Sequence, residues 1–281
     1  MSPIHDQTYR HYEGRRAPLG RSWLVIVRAG VRGLFSRKAF LGLLLGAWVP
    51  FIARTIQIYA VTMMPQAGAV VPIDAKMFQT FVETQGLFVF FITIYVGAGL
   101  IANDRRANAL QVYLSKPLLR MEYIGGKLGI LLTFLLAVTL LPAVLLVLMQ
   151  IVISGSFTWI SSHAFVVPAV ILSSLLRVLI AAFTMLALSS LSKSARYVAI
   201  LYTGVIFFSE AVYGVMRLVT GSTRVAWVSV TGNLDVVTDA IFFSEPRYET
   251  PVIVSLIVLA GLLVVSISIL ERRVRGVEVV A

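Results

Sequence analysis

Three charged residues interrupt otherwise apolar stretches of this chain: Arg54, Arg177 and Glu210. A charge at membrane depth costs at least about 2.5–3.5 kcal/mol, so it normally has a partner or lines a wet cavity. Counted at 1.5 Å per residue from the ends of their apolar runs, the three lie roughly 22, 16 and 20 Å in, so all could meet near mid-membrane. Two chemistries are open. One is a structural ion pair of Arg177 or Arg54 with Glu210. The other is a polar patch in a translocation path, or a proton relay through Glu210. One acid facing two bases favours the pair. Other chemical candidates fail. Gly125-Gly126-Lys127 looks briefly like a phosphate-binding loop, but Leu128 stands where Ser or Thr is needed and Met121 where Gly is needed. His5 and His11 are widely spaced on a polar tail, and Met63, Met64 and Met77 are scattered, so no metal centre is expected. No HExxH, nucleophile elbow or nucleotide-binding motif occurs, and the chain has no cysteine, which excludes disulfides and thiolate chemistry. An enzyme is therefore not expected.

The elements that must position these charges are legible from composition. The chain is 58% hydrophobic and 13% charged, against roughly 25% charged for a soluble domain. Mean hydropathy is +0.90. An all-α, polytopic membrane protein is expected. Six apolar segments are long enough to cross: Ala39–Val61, Thr80–Ala102, Ile124–Gln150, Val166–Leu188, Tyr197–Val219 and Val252–Leu270. The third is expected to tilt, or to bend at Pro142. Gly42 and Gly46 form a GxxxG in the first span, and Gly97 with Gly99 suggests close packing in the second. Lys and Arg concentrate before the first span, after the second and fourth, and after the sixth, whereas Lys76, Arg224 and Arg247 alone fall on the other side. By the positive-inside rule both termini are cytoplasmic in the inner membrane. The same asymmetry accounts for a net charge of +11 without a nucleic-acid partner.

Between the spans lie four segments of distinct character. Residues 1–20 are polar, lack the apolar core of a signal peptide, and are expected to be a mobile cytoplasmic tail. Residues 21–38 pattern as a cationic helix with Arg21, Arg28 and Arg32 on one face and Trp23, Val27, Val31 and Leu34 opposite. Such a helix suits the membrane interface, near anionic lipid; a plain extension of the first span is the alternative. Residues 103–123 form a charged segment between the second and third spans, opened by Asp104, Arg105 and Arg106. Leu110, Tyr113 and Leu114 share a helical face there, and Ser115 and Pro117 are positioned to restart the next helix. Residues 220–251 are too long for a plain connection. Leu234, Val237 and Ile241 share a helical face that Asn233 could cap, which predicts a short helix dipping into the outer leaflet. The six-helix domain spans 39–270, and 271–281 is a cytoplasmic tail.

The run Ile101-Ala-Asn-Asp-Arg-Arg-Ala-Asn-Ala-Leu110, continuing into Tyr113-Leu-Ser-Lys-Pro-Leu118 and Glu122-Tyr123-Ile-Gly-Gly-Lys127, resembles the ABC-2 type permease family of bacterial ABC transporters. The layout of spans agrees over nearly the whole chain. The resemblance implies an elbow helix at 21–38, a coupling helix over Arg105–Pro117 and outer re-entrant helices in 220–251. It also implies a homodimer of this chain working with two ATP-binding subunits, which would carry ATP and Mg and drive export; no cofactor is expected on this chain. Asp104, Arg105, Arg106, Leu110, Tyr113, Leu114, Ser115 and Pro117 would then contact the ATPase. An ion-driven transporter using Glu210 and a non-transporting membrane scaffold remain alternative classes.

Overall fold

The computed structural model describes residues 22–64, 66, 68, 72–109, 119–155 and 158–274. Among these it is helical throughout, with no strand. Six helical segments are long and apolar enough to cross a membrane: Lys38–Met63, Ala75–Arg106, Arg120–Ser154, Val166–Leu191, Ala195–Thr220 and Val252–Arg273. The chain is a multi-pass membrane protein, and each span contains the segment expected from hydropathy.

Three of the spans are broken, each for a local reason. The first divides at Trp48 into α2 (Lys38–Ala47) and α3 (Val49–Met63), where Pro50 occupies the opening turn of α3 and needs no N–H partner. The third divides at Thr139 into α6 (Arg120–Val138) and α7 (Leu140–Ser154). Pro142 lacks an N–H and crowds the carbonyl four residues earlier, and this is the bend the sequence predicts. The second span is the most interrupted. It runs as α4 (Ala75–Ile92), widens into a π-helical turn over Thr93–Gly97, and resumes as α5 (Ala102–Arg106). Gly97 sits at the widened turn because a side chain there has no room: an added Cβ would stand 2.3 Å from Met185 Cγ. Gly42, by contrast, faces open space, and Gly46 meets Phe88 at an ordinary 3.8 Å, so the GxxxG in the first span is not a point of close helix approach among the described residues.

The short α8 (Thr158–Ser162) precedes the fourth and fifth spans, α9 (Val166–Leu191) and α10 (Ala195–Thr220). After a 3-10 turn at Thr223–Val228 come α11 (Val230–Ile241) and the sixth span, α12 (Val252–Arg273). The second, third and fourth spans form the centre, about half buried, while the first, fifth and sixth present mostly apolar outer faces. The main core packs Ile92, Ile101, Tyr123, Leu131, Phe134 and Met185 between α4, α6 and α9. A second cluster around Phe78, Phe81, Leu146 and Val170 fills the other end.

The helix predicted at 21–38 is α1 (Ser22–Phe35). Its apolar face is taken by α6. Gly126 meets Ile26, Gly129 meets Val27, Gly30 meets Ile130, and Phe35 lies 5.5 Å from Phe134, ring to ring. Both residue numbers rise together over about eight residues, so α1 runs alongside α6 in the same direction. Glycines on both helices permit the close approach. Arg28 and Arg32 remain exposed, as the wheel predicts.

The helix predicted in 220–251 is α11. Leu234 and Val237 are buried against Ile180 and Leu259, with Ile241 beside them. Its cap is Ser229, whose Oγ accepts from Gly232 N at 2.9 Å, rather than Asn233. Asn233 lies inside the first turn and donates to the Trp227 and Ser229 carbonyls at 2.7 Å.

Candidate functional site

Two polar regions stand at different heights in the bundle. The first closes the base of the second and third spans. Asp104 Oδ2 accepts from the Tyr123 hydroxyl at 2.7 Å and pairs with Lys127 Nζ at 2.7 Å. The Lys127 ammonium also lies 5.4 Å from the Tyr123 ring centroid, within cation–π range. Tyr123 is fully buried. The Gly125-Gly126-Lys127 run thus serves packing and pairing: Gly126 admits Ile26 and Lys127 neutralises Asp104. On the other flank, Ser189 repairs the break in the second span. Its Oγ accepts from Ile101 N and Ala102 N at 3.1 Å and donates to the Ala98 carbonyl at 3.0 Å. One hydroxyl therefore satisfies three backbone groups that the interrupted helix leaves free. Arg105 Nη1 donates to the Ser190 carbonyl.

Asp104 and Arg105 are occupied within the chain, leaving Arg106 as the exposed charge of the three. Leu110, Tyr113, Leu114, Ser115 and Pro117 lie outside the described residues, and so does the expected helix restart. The next described helix opens at Arg120, where Glu122 Oε2 accepts from Leu119 N at 3.2 Å.

The second region is organised by α11. The expected ion pair of Glu210 with Arg177 or Arg54 does not form. Arg54 donates to Gln57 Oε1 at 2.7 Å on its own helix. Glu210 Oε2 accepts from Ser229 Oγ. Arg177 reaches Asp235 Oδ1 at 3.4 Å. Residue counting places the three charges at similar depth but does not set the direction each faces around its helix, and α11 supplies nearer partners. Asp235 lies in the long segment between the fifth and sixth spans, and its part in this contact is not legible from residue counting.

Above Arg177 a denser network joins α4, α11 and the chain beyond. Arg247 donates from Nε to both oxygens of Asp239 at 3.0 and 3.1 Å and from Nη2 to Oδ1 at 2.6 Å. It also grips Glu83 with contacts of 3.1 and 2.7 Å. Gln79 Nε2 bridges Asp239 at 2.6 Å and Glu83 at 3.0 Å, and Gln79 Oε1 accepts from Ser244. Burial alone would lower the pKa of Arg247, but Asp239, Asp235 and Glu83 hold it above its ordinary value. The sequence carried a signal for this network in two i, i+4 polar pairs, Gln79 with Glu83 and Asp235 with Asp239, each sharing a helical face.

Two cavities meet at Glu83. One, of about 610 Å³, is lined by Asp74, Lys76, Glu83, His163, Asp239 and Arg247. The other, of about 260 Å³, lies lower, with Glu83, Arg177, Thr231 and Tyr202 as polar lining and otherwise apolar side chains including Leu87 and Phe90. No group of acids and histidines among the described residues could hold a metal ion, and Met77 is buried in the core while Met63 and Met64 are exposed. No family model matches the chain, and no curated protein matches it either.

Proposed function

We propose that this chain is the membrane-spanning permease subunit of an ABC-2 type transporter, moving substrate outward across the cytoplasmic membrane. The observation that carries this reading is the run from Ile101 to Lys127, whose residues resemble the family's coupling segment. Its placement supports the reading: the run joins two central spans, and Asp104, Tyr123 and Lys127 clamp its two ends together. A segment held at both ends can pass a push from a partner into the bundle. Leu110, Tyr113 and Leu114 would seat in a groove on the ATP-binding subunit, and Arg106 would face its acidic residues. Two ATP-binding subunits, holding ATP and Mg, would act on a homodimer of this chain embedded in membrane lipid.

The flanking elements take roles on the same reading. α1 is the elbow helix, braced upright against α6 with its arginines free for anionic lipid. α11 is a re-entrant helix, supported by its contact between Asp235 and Arg177, which stands 11 residues, or about 16 Å, along α9 from Val166. Both termini are cytoplasmic. The ATPase shifts the bundle only if inward- and outward-open packings differ in their affinity for it.

The test is co-expression with a candidate ATP-binding subunit encoded beside it and purification through a tag on this chain. We expect a stable complex with vanadate-sensitive ATP hydrolysis, and at least a tenfold loss of coupled transport in Leu110→Asp with the fold retained. Coupled activity unchanged in that variant would sink the assignment. Absence of any associated ATPase, with the chain monodisperse, would favour an ion-driven carrier.

A further inference from the structure

Arg177 is 7% exposed, yet its guanidinium is poorly satisfied. Among the described residues its acceptor is Asp235 Oδ1, reached from Nη2 at 3.4 Å, which is long beside the 2.7–2.9 Å of a charge-assisted bond. Among the described residues Nε is buried with no acceptor. Gly86 keeps this arrangement open: a Cβ added there would stand 2.8 Å from Arg177 Nη1. Arg177 lines the 260 Å³ cavity, whose other polar side chains are Glu83, Thr231 and Tyr202. A buried guanidinium short of acceptors, beside a cavity wall, is open to an acceptor that enters the cavity.

Charge balance restricts what that ligand carries. Glu83 stands with Arg177 in the wall of the same cavity, so that wall presents one carboxylate and one guanidinium. A simple anion would meet Arg177 but be repelled by the Glu83 carboxylate. A head group bearing both an oxyanion and an ammonium meets both demands. Glu83 and Gly86 lie one turn apart on the same face of α4, which places the Glu83 carboxylate and the Arg177 guanidinium within reach of one small head group. Beyond these groups the lining is apolar, and Leu87 within it is 59% exposed. The volume is below the roughly 300–1,000 Å³ of pockets that enclose a drug-sized ligand, so it holds a head group and leaves a tail outside.

We propose that this cavity binds the head of a zwitterionic amphiphile, its oxyanion on Arg177, its ammonium on Glu83, and its apolar chain leaving past Leu87 and Phe90. The binding is a property of this chain by itself and can be measured without any ATPase, so its outcome is separate from that of the transporter reading.

The test uses the full chain purified in maltoside micelles and titrated with lysophosphatidylethanolamine, with lysophosphatidic acid, and with phosphoethanolamine lacking a chain, followed by native mass spectrometry. One lysophosphatidylethanolamine per chain is expected, at least tenfold tighter than either of the others. Arg177→Gln should weaken it at least tenfold. Gly86→Ala, which pushes the guanidinium aside without removing a charge, should weaken it similarly while thermal unfolding shows the bundle intact. Glu83→Gln should erase the preference over lysophosphatidic acid. Unchanged binding in Gly86→Ala and Arg177→Gln, preference of the wild-type chain for the pure anion, or equally tight binding of the chainless head group would each overturn the site.

Discussion

Asp104 and Arg177 are both charges placed where the chain has little water to offer, and the two surroundings differ in completeness. Around Asp104 the partners are close and redundant: a phenol and an ammonium on one carboxylate oxygen at 2.7 Å each, with Ser189 satisfying three backbone groups nearby. Around Arg177 one long contact serves a whole guanidinium, and cavities open on either side of Glu83. A polar cluster with close, redundant partners resists rearrangement, because any displacement exposes an unpaired group. One with demands unmet has a reason to accept a ligand or to move. The base of the second and third spans therefore behaves as a rigid joint, and the α4–α9–α11 region as the adaptable part.

That contrast can be broken from either side. The largest effect is expected from Arg247→Ala, which strips the clasp from Asp239 and Glu83 and leaves a buried carboxylate unpaired. A loss of about 3–5 kcal/mol is expected, read as a large fall in thermal midpoint in micelles. Asp239→Asn in the same background should recover part of it; no recovery would show that the charge is not the cause. Next comes Ser189→Ala at the rigid joint. Removing the hydroxyl orphans Ile101 N and Ala102 N, at a cost of about 1–3 kcal/mol, and hydrogen exchange should speed at those two amides before the rest of the second span. Gly126→Ala would press a methyl onto Ile26 at 2.8 Å; overpacking there should cost about 1–3 kcal/mol and increase protease access to α1 without unfolding the spans. Arg54→Gln is expected to change stability least, within about 0.5 kcal/mol, since its partner is Gln57 on its own helix. A large loss in Arg54→Gln would mean that the residue meets a group outside this chain.

Hydropathy sufficed for the six spans because twenty apolar residues in a row have few other fates. It also located α11, whose Leu234, Val237 and Ile241 stripe is a short-range pattern. The partners of Arg54, Arg177 and Glu210 were not legible in the same way. Rise per residue gives height, but which neighbour a side chain faces depends on how α11 folds back among the spans, and that is a tertiary outcome. The roles of Asp235 and Asp239, in the long segment before the sixth span, were not legible for the same reason. Likewise the arginines of α1 announced a free face, while the opposite face found α6 through Gly30, Gly126 and Gly129, residues that carry no hydropathy signal of their own.

The pairing of α1 with α6 has a consequence for the order of assembly. Ile26 and Gly30 dock on residues 100 positions later in the chain, at Gly126 and Ile130. At roughly 5–20 residues per second of synthesis, α1 waits on the order of 5–20 s after leaving the ribosome before its berth exists. The first two spans must be inserted without it. α1 is thus a late-closing piece, and the Ile26, Val27 and Val31 side chains of its α6-facing side must meanwhile be tolerated by the lipid surface or by a chaperone.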